Sequence, residues 1–114
     1  MAKSKLPVTR TLEWLIDHGW MASRVDRHAG GISHDAFGCF DVAAKKRDLP
    51  GTLWIQCTSA SNHAARRKKL AERKDMIGLI VATGDQAEIW SWSDKPDPRR
   101  EVLAYPETWP ETTS

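Results

Sequence analysis

Phe37-Gly38-Cys39-Phe40-Asp41-Val42-Ala43-Ala44 and Thr52-Leu53-Trp54-Ile55-Gln56-Cys57-Thr58 decide how the rest of the chain is read. Both segments cluster apolar, β-branched and aromatic residues, as strands do. The intervening Lys45-Lys46-Arg47-Asp48-Leu49-Pro50-Gly51 is polar and ends in Pro-Gly, as a turn does. A β-hairpin is expected. Two residues sit oddly in it: Asp41 interrupts the first strand and Gln56 the second, inside runs that should be buried. A buried carboxylate is costly unless a cation or hydrogen-bond donors meet it.

Closing the hairpin symmetrically about its loop puts Asp41 opposite Gln56 and Cys39 opposite Thr58. Side chains two apart on a strand share a face. Cys39, Asp41, Gln56 and Thr58 then form one patch, and Phe40, Val42, Ile55 and Cys57 lie on the other face. A one-residue slip would exchange the faces. The register also separates Cys39 from Cys57, which argues against a disulfide.

Working outward, Val8, Leu12, Leu15 and Ile16 recur at helical spacing between Pro7, which suits a first turn, and Gly19, which suits a stop. Trp20 to Arg27 reads as a strand, and His28 to His34 with Gly30-Gly31 as a loop or wide turn. After the hairpin, Ser59-Ala60-Ser61-Asn62 offers helix caps and His63 to Arg73 is built of helix formers. Asp75 to Thr83 fits a short helix better than a buried strand, because Asp75 can begin one and Gly84 can end it. Gln86 to Ser93 alternates as a strand, with Trp90 and Trp92 on one face suited to a core. Arg100 to Tyr105 follows the Lys95–Pro98 turn as an edge strand. The expectation is an α/β domain, helices flanking one mixed sheet. It forms a single unit over residues 1–114, with its core at about 8–105 and a loosely packed tail at 106–114.

The chain has 114 residues, 40% hydrophobic and 28% charged, enough for one core without metal or disulfide staples. No apolar run approaches the ~20 residues that cross a bilayer. The polar, lysine-containing start suits a cytoplasmic protein, in which both cysteines stay reduced. Net charge is only +2, but Arg66-Arg67-Lys68-Lys69 gathers four cations in one segment. Six tryptophans are many for this length, and Trp14 and Trp109 are expected to be partly exposed. Zinc is disfavoured because His28, His34, His63 and the cysteines lack ligand spacing. Gly30-Gly31 lacks the spacing of a phosphate loop. Cys39 has no base placed beside it by sequence.

The patch has two readings. In the structural one, Asp41 and Gln56 hydrogen-bond each other or a loop backbone. In the functional one, a carboxylate at a strand end stands beside a helix start carrying Asn62, His63, Arg66, Arg67, Lys68 and Lys69. A divalent metal and a phosphate backbone require that juxtaposition. Arg66 and Lys69 share a helix face, with His63 one step earlier.

Asp41 followed across the loop by Gln56-Cys57-Thr58 resembles the D-(x)n-[D/E]-x-K signature of the PD-(D/E)XK nuclease superfamily. Asp35 to Asp41, Ile55 to Ser59, Asn62, Arg66 and Lys69 resemble small phage and bacterial members of it. The resemblance covers roughly residues 8–93 and implies a restriction-endonuclease-like αβββαβ core. It further implies DNA phosphodiester hydrolysis with Mg²⁺ or Mn²⁺. Asp41, the Gln56 amide oxygen and the Cys57 carbonyl would hold the metal, with Thr58 as the third position of the active face. Gln56 stands where Asp or Glu is usual, and Thr58 where lysine is usual. A second carboxylate would come from Glu13, Asp26 or Asp35, and the cation from Lys45 or Lys69. Asn62, His63, Arg66, Lys69 and Lys45 would contact DNA, and such nucleases often act as homodimers. Two other readings remain: a module of this fold that binds nucleic acid or protein without catalysis, and a tryptophan-lined protein-interaction domain.

Overall fold

The computed structural model describes residues 5–29, 32–34, 37–104, 106 and 109. Helix α1 (Pro7–Asp17) is followed by β1 (Met21–Arg24), β2 (Arg27–Ala29), β3 (Ile32–His34), β4 (Val42–Lys45) and β5 (Leu53–Ser59). After a 3₁₀ turn over Ala60–Asn62 come α2 (His63–Ala71), α3 (Lys74–Ala82), β6 (Gln86–Trp92) and β7 (Arg99–Ala104). Five strands form one sheet in the order β1-β4-β5-β6-β7, antiparallel except for the parallel β5–β6 pair. A parallel pair needs a crossover connection, and α2 with α3 supplies it. The sheet is thus mixed, with helices on both faces, as expected for an α/β fold. No helix among the described residues is long and apolar enough to cross a membrane.

One face buries Leu15, Val42, Ala44, Leu53, Ile55, Cys57, Trp90 and Trp92 beneath α1. The other buries Cys39, Phe40, Ala87 and Ile89 against Leu70 and Ile80 of α2 and α3. The cysteines are free and belong to opposite faces. Trp90 and Trp92 are core residues. So is Trp109, contrary to its expected exposure: it is buried, and its indole N–H donates to the Gly84 carbonyl at 2.8 Å. Trp14 is half-buried.

The stripe of α1 is also displaced. Thr11 and Leu15 are fully buried while Ile16 is exposed. The Thr11 hydroxyl donates to the Pro7 carbonyl (2.8 Å) and accepts the Trp92 indole N–H (2.9 Å), so a hydroxyl occupies the seam that hydropathy assigns to aliphatics. The span read as a loop between His28 and His34 contains a second, two-stranded sheet, β2 with β3, in which Ala29 faces Ile32.

Candidate functional site

The hairpin register is the expected one over Val42↔Ile55, Ala43↔Trp54 and Ala44↔Leu53. It breaks at Asp41, whose N–H donates to the carbonyl of Ile55, the residue already opposite Val42. Two residues of one strand therefore face one of β5, the count of a β-bulge. The bulge shifts the phase, and Phe40 falls on the α2/α3 face with Cys39 instead of with Val42. The first hairpin strand is correspondingly short. Phe37 to Cys39 form a turn in which Phe37 (φ 56°) and Gly38 (φ 75°) are left-handed.

Where the ladder ends, the Asp41 side chain takes over. Its Oδ2 accepts the Cys57 backbone N–H and the Gln56 side-chain amide, each at 2.9 Å. The same Gln56 nitrogen lies 3.5 Å from the Cys57 carbonyl. Gln56 Oε1 is buried and has no hydrogen-bond partner among the described residues. The bonds of the structural reading are therefore present, and they join the three groups that the nuclease resemblance singles out. Asp41 retains only 7% of its exposure, and Gln56 and Thr58 are buried as well.

The cation at this site was not legible in the sequence. Val25 N–H donates to the Asp41 carbonyl at 2.8 Å, which brings the end of β1 alongside. There Arg24 forks onto Asp26 through Nε (2.6 Å) and a terminal nitrogen (3.1 Å). The bond to Asp26 chiefly raises the guanidinium above its ordinary basicity, and the Asp41 carboxylate adds to the effect. The Cys57 thiol is pushed well up, first by burial and further by Asp41 and Asp26, against the smaller opposing influences of Thr11 and Arg24. It is an inert thiol. Of the second carboxylates considered, Asp26 is the one brought near, and it is already paired. Glu13 is half-exposed and bound to Lys5 at 2.8 and 2.9 Å. Asp35 lies outside the described residues. Among the described residues no three His, Cys, Asp or Glu side chains group so as to hold a metal.

Lys45 ends β4, four residues beyond Asp41, about 13 Å along an extended strand. It is not at the carboxylate. Asn62 and Lys69 are exposed, and Arg66 is half-buried on the same helix.

His63 is not at the surface. Its Nδ1 meets Ser91 Oγ at 2.7 Å and its Nε2 meets Glu101 Oε1 at 2.8 Å, inside the α2/β6/β7 junction. Arg67, one of the four clustered cations, binds Glu101 through Nε and a terminal nitrogen at 2.6–3.0 Å. These bonds, Arg67 first and then His63, hold the Glu101 carboxyl below the usual range despite partial burial. A carboxyl lowered on folding stabilises the protein above its unfolded value of about 4.3, and that contribution disappears as pH falls through the lower folded value. Thermal melts should therefore separate wild type from Glu101→Gln above about pH 5 and bring them together towards pH 3. A gap that widens on acidification would contradict this sign.

Comparison with known proteins returns no match among family models, curated proteins or solved structures.

Proposed function

We propose that the chain acts on DNA phosphodiesters through the Asp41 site, as a metal-dependent nuclease of the PD-(D/E)XK type. The observation that carries this reading is the convergence of the Asp41 carboxylate, the Gln56 amide and the Cys57 backbone at the end of the β4–β5 ladder. The element order supports it: a helix, three sheet strands in antiparallel succession, helices, then a strand parallel to the third.

A half-turn of the Gln56 amide would direct its orphaned Oε1 to Asp41 and to the Cys57 carbonyl. Three oxygens would then face one point, and they fit a hard divalent cation in kind. One of the three is charged, so water must complete most of the shell and the affinity must be low. Bound Mg²⁺ or Mn²⁺ would supply charge neutralisation at a phosphoryl oxygen and a more acidic water. The chain's own part is to hold that ion with Asp41, Gln56 and Cys57. Arg66 and Lys69 would engage neighbouring phosphates as fork and point cations respectively.

The test is DNA cleavage in Mn²⁺ by wild type and Asp41→Asn. Asparagine keeps an acceptor for the Cys57 N–H and removes the charge. Cleavage should fall by roughly a hundredfold or more, the scale of losing one preorganised electrostatic group. Equal rates in folded proteins would exclude Asp41 from the chemistry.

A second reading, a DNA-binding module without catalysis, is favoured by one observation. As placed, the Gln56 amide already bridges Asp41 and the Cys57 carbonyl, a neutral donor where an ion would sit. It requires salt-sensitive binding that is indifferent to divalent ions. A Mn²⁺-dependent rise in melting temperature, lost in Asp41→Asn, would rule it out.

A further inference from the structure

Trp54 and Gln56 lie on the same face of β5, about 7 Å apart along the strand. On that face α2 and α3 pack mainly over β5, β6 and β7. The β1–β4 half of the sheet is left bordered by two shallow apolar clefts that share Trp54 as a wall. One, of 270 Å³, runs past Met21 and Ala43 to Lys45. The other, of 240 Å³, lies between Phe37, Met76 and Leu79. Both are smaller than the roughly 300–1,000 Å³ of drug-sized pockets, and each suits one flat ring.

Phe37 is anomalous. Phe37 and Gly38 are consecutive left-handed residues, the position pair at which tight turns favour Asn-Gly. An L-aromatic is strained there, and burial does not compensate it, because the side chain is 56% exposed. Its ring meets Trp54 edge-on at 5.1 Å. Leu79 on the rim is 66% exposed and Met21 is 72% exposed. Trp54 itself is fixed: its indole N–H donates to Asp85 Oδ2 at 3.0 Å, while Asp85 Oδ1 accepts the Thr52 N–H at 2.8 Å. That carboxylate is spent on holding the wall. Asp85 is the charged residue that lines the Phe37–Trp54 cleft, and cations stand beside it: Lys45 in the adjoining cleft, and Arg73, which donates to the Phe37 carbonyl at 3.2 Å. A fixed, partly exposed aromatic pair with cations close by is what sequence-tolerant binding of single strands uses, because only an unpaired base offers its ring face.

We propose that the Phe37–Trp54 cleft docks an unpaired base of DNA engaged at the Asp41–Gln56 site. The preferred substrate is then DNA with single-stranded character, an overhang, gap or branch, in place of blunt duplex. This rests on the nucleic-acid reading above and adds to it the class of DNA.

The test is fluorescence anisotropy in EDTA with a labelled single strand, a duplex with a single-stranded overhang, and a blunt duplex. The proteins are wild type, Phe37→Asn and Leu79→Gln. Asparagine accepts the left-handed backbone, so Phe37→Asn should melt no lower than wild type. It should bind the single strand and the overhang about tenfold or more weakly, at unchanged affinity for blunt duplex. Leu79→Gln, at an exposed rim position, should weaken single-strand binding in the same direction and does not depend on the turn. Blunt duplex bound as tightly as single strand, or single-strand affinity unchanged in both variants, overturns the cleft proposal and leaves the Asp41 reading to its own cleavage test. Failure of wild type to bind any of the three DNAs overturns both. A dimer that dissociates in Phe37→Asn with DNA affinity unaltered shows that a second copy covers the cleft, and also overturns the proposal.

Discussion

Arg100→Met should destabilise the protein by about 3–5 kcal/mol, the cost of leaving a buried charge without its partner. Glu88 is fully buried on the α1 face of β6, in register with Ile55 of β5. Arg100 on β7 reaches it with Nε at 3.0 Å from Oε1 and a terminal nitrogen at 3.2 Å from Oε2. Trp90 Nε1 donates to Oε1 at 3.0 Å, and Gln86 donates to Oε2. The guanidinium also lies 4.7 Å from the Trp90 ring centre. Methionine keeps most of the side-chain stem against Trp90 but removes the charge, and two neutral donors remain to carry a carboxylate in an apolar layer. That loss is a large share of the roughly 5–15 kcal/mol that holds a typical domain. The double variant Glu88→Gln/Arg100→Met should recover part of it, because a neutral amide removes the unpaired charge while its oxygen still accepts the buried Trp90 indole N–H. Urea unfolding of the three proteins measures both effects. A single variant within 1 kcal/mol of wild type, on the order of an exposed ion pair, would show that the pair is solvated.

Gly51→Ala should cost about 3 kcal/mol or more and lower the melting temperature by over 10 °C. A Cβ at residue 51 would stand 2.0 Å from the Gly84 carbonyl oxygen, 2.8 Å from its carbon and 2.7 Å from Asp85 Oδ1. Two of those atoms are backbone, so no rotamer change relieves the clash. The displaced Gly84 carbonyl is the acceptor for Trp109, and the displaced Asp85 carboxylate is the acceptor for Thr52 and Trp54. One methyl group therefore strikes the β4–β5 loop, the start of β6, the Trp109 anchor and the wall of the aromatic cleft together. Differential scanning calorimetry should find the Gly51→Ala transition well below that of wild type, and coincident transitions would mean that the two turns are not pressed together.

The hairpin was legible because its signals are local: two apolar runs, a Pro-Gly turn and a length that fixes the register of Val42 to Ala44 against Leu53 to Ile55. The bulge was not, because a one-residue irregularity leaves composition and alternation almost untouched, yet it sends Phe40 to the other face. The sequence placed Asp41 beside Gln56, and the structure joins them. It also offered Glu13, His63 and Lys45 as participants. Each was judged by residue type and order alone, which cannot tell an exposed histidine from one clamped between Ser91 and Glu101. Arg24 escaped notice, and Asp26 stood only as one of three candidate carboxylates, because their proximity to Asp41 depends on the β1–β4 pairing, and one arginine two residues before one aspartate carries no signal of its own.

By itself, the sequence determined the α/β order of elements, the strand pair around which the sheet is built, the separation of the two cysteines and the meeting of Asp41 with Gln56. These follow from periodicity and turn chemistry, which act over a few residues. Only the tertiary structure decided what surrounds the carboxylate. It set the Cys57 N–H on Asp41, the Arg24–Asp26 pair beside it, the buried Glu88–Arg100 pair beneath β6 and the Phe37–Trp54 cleft along the same face. The physical reason is that burial and electrostatics depend on which distant segments share a face. That is fixed when the sheet assembles, and no window of local sequence contains it.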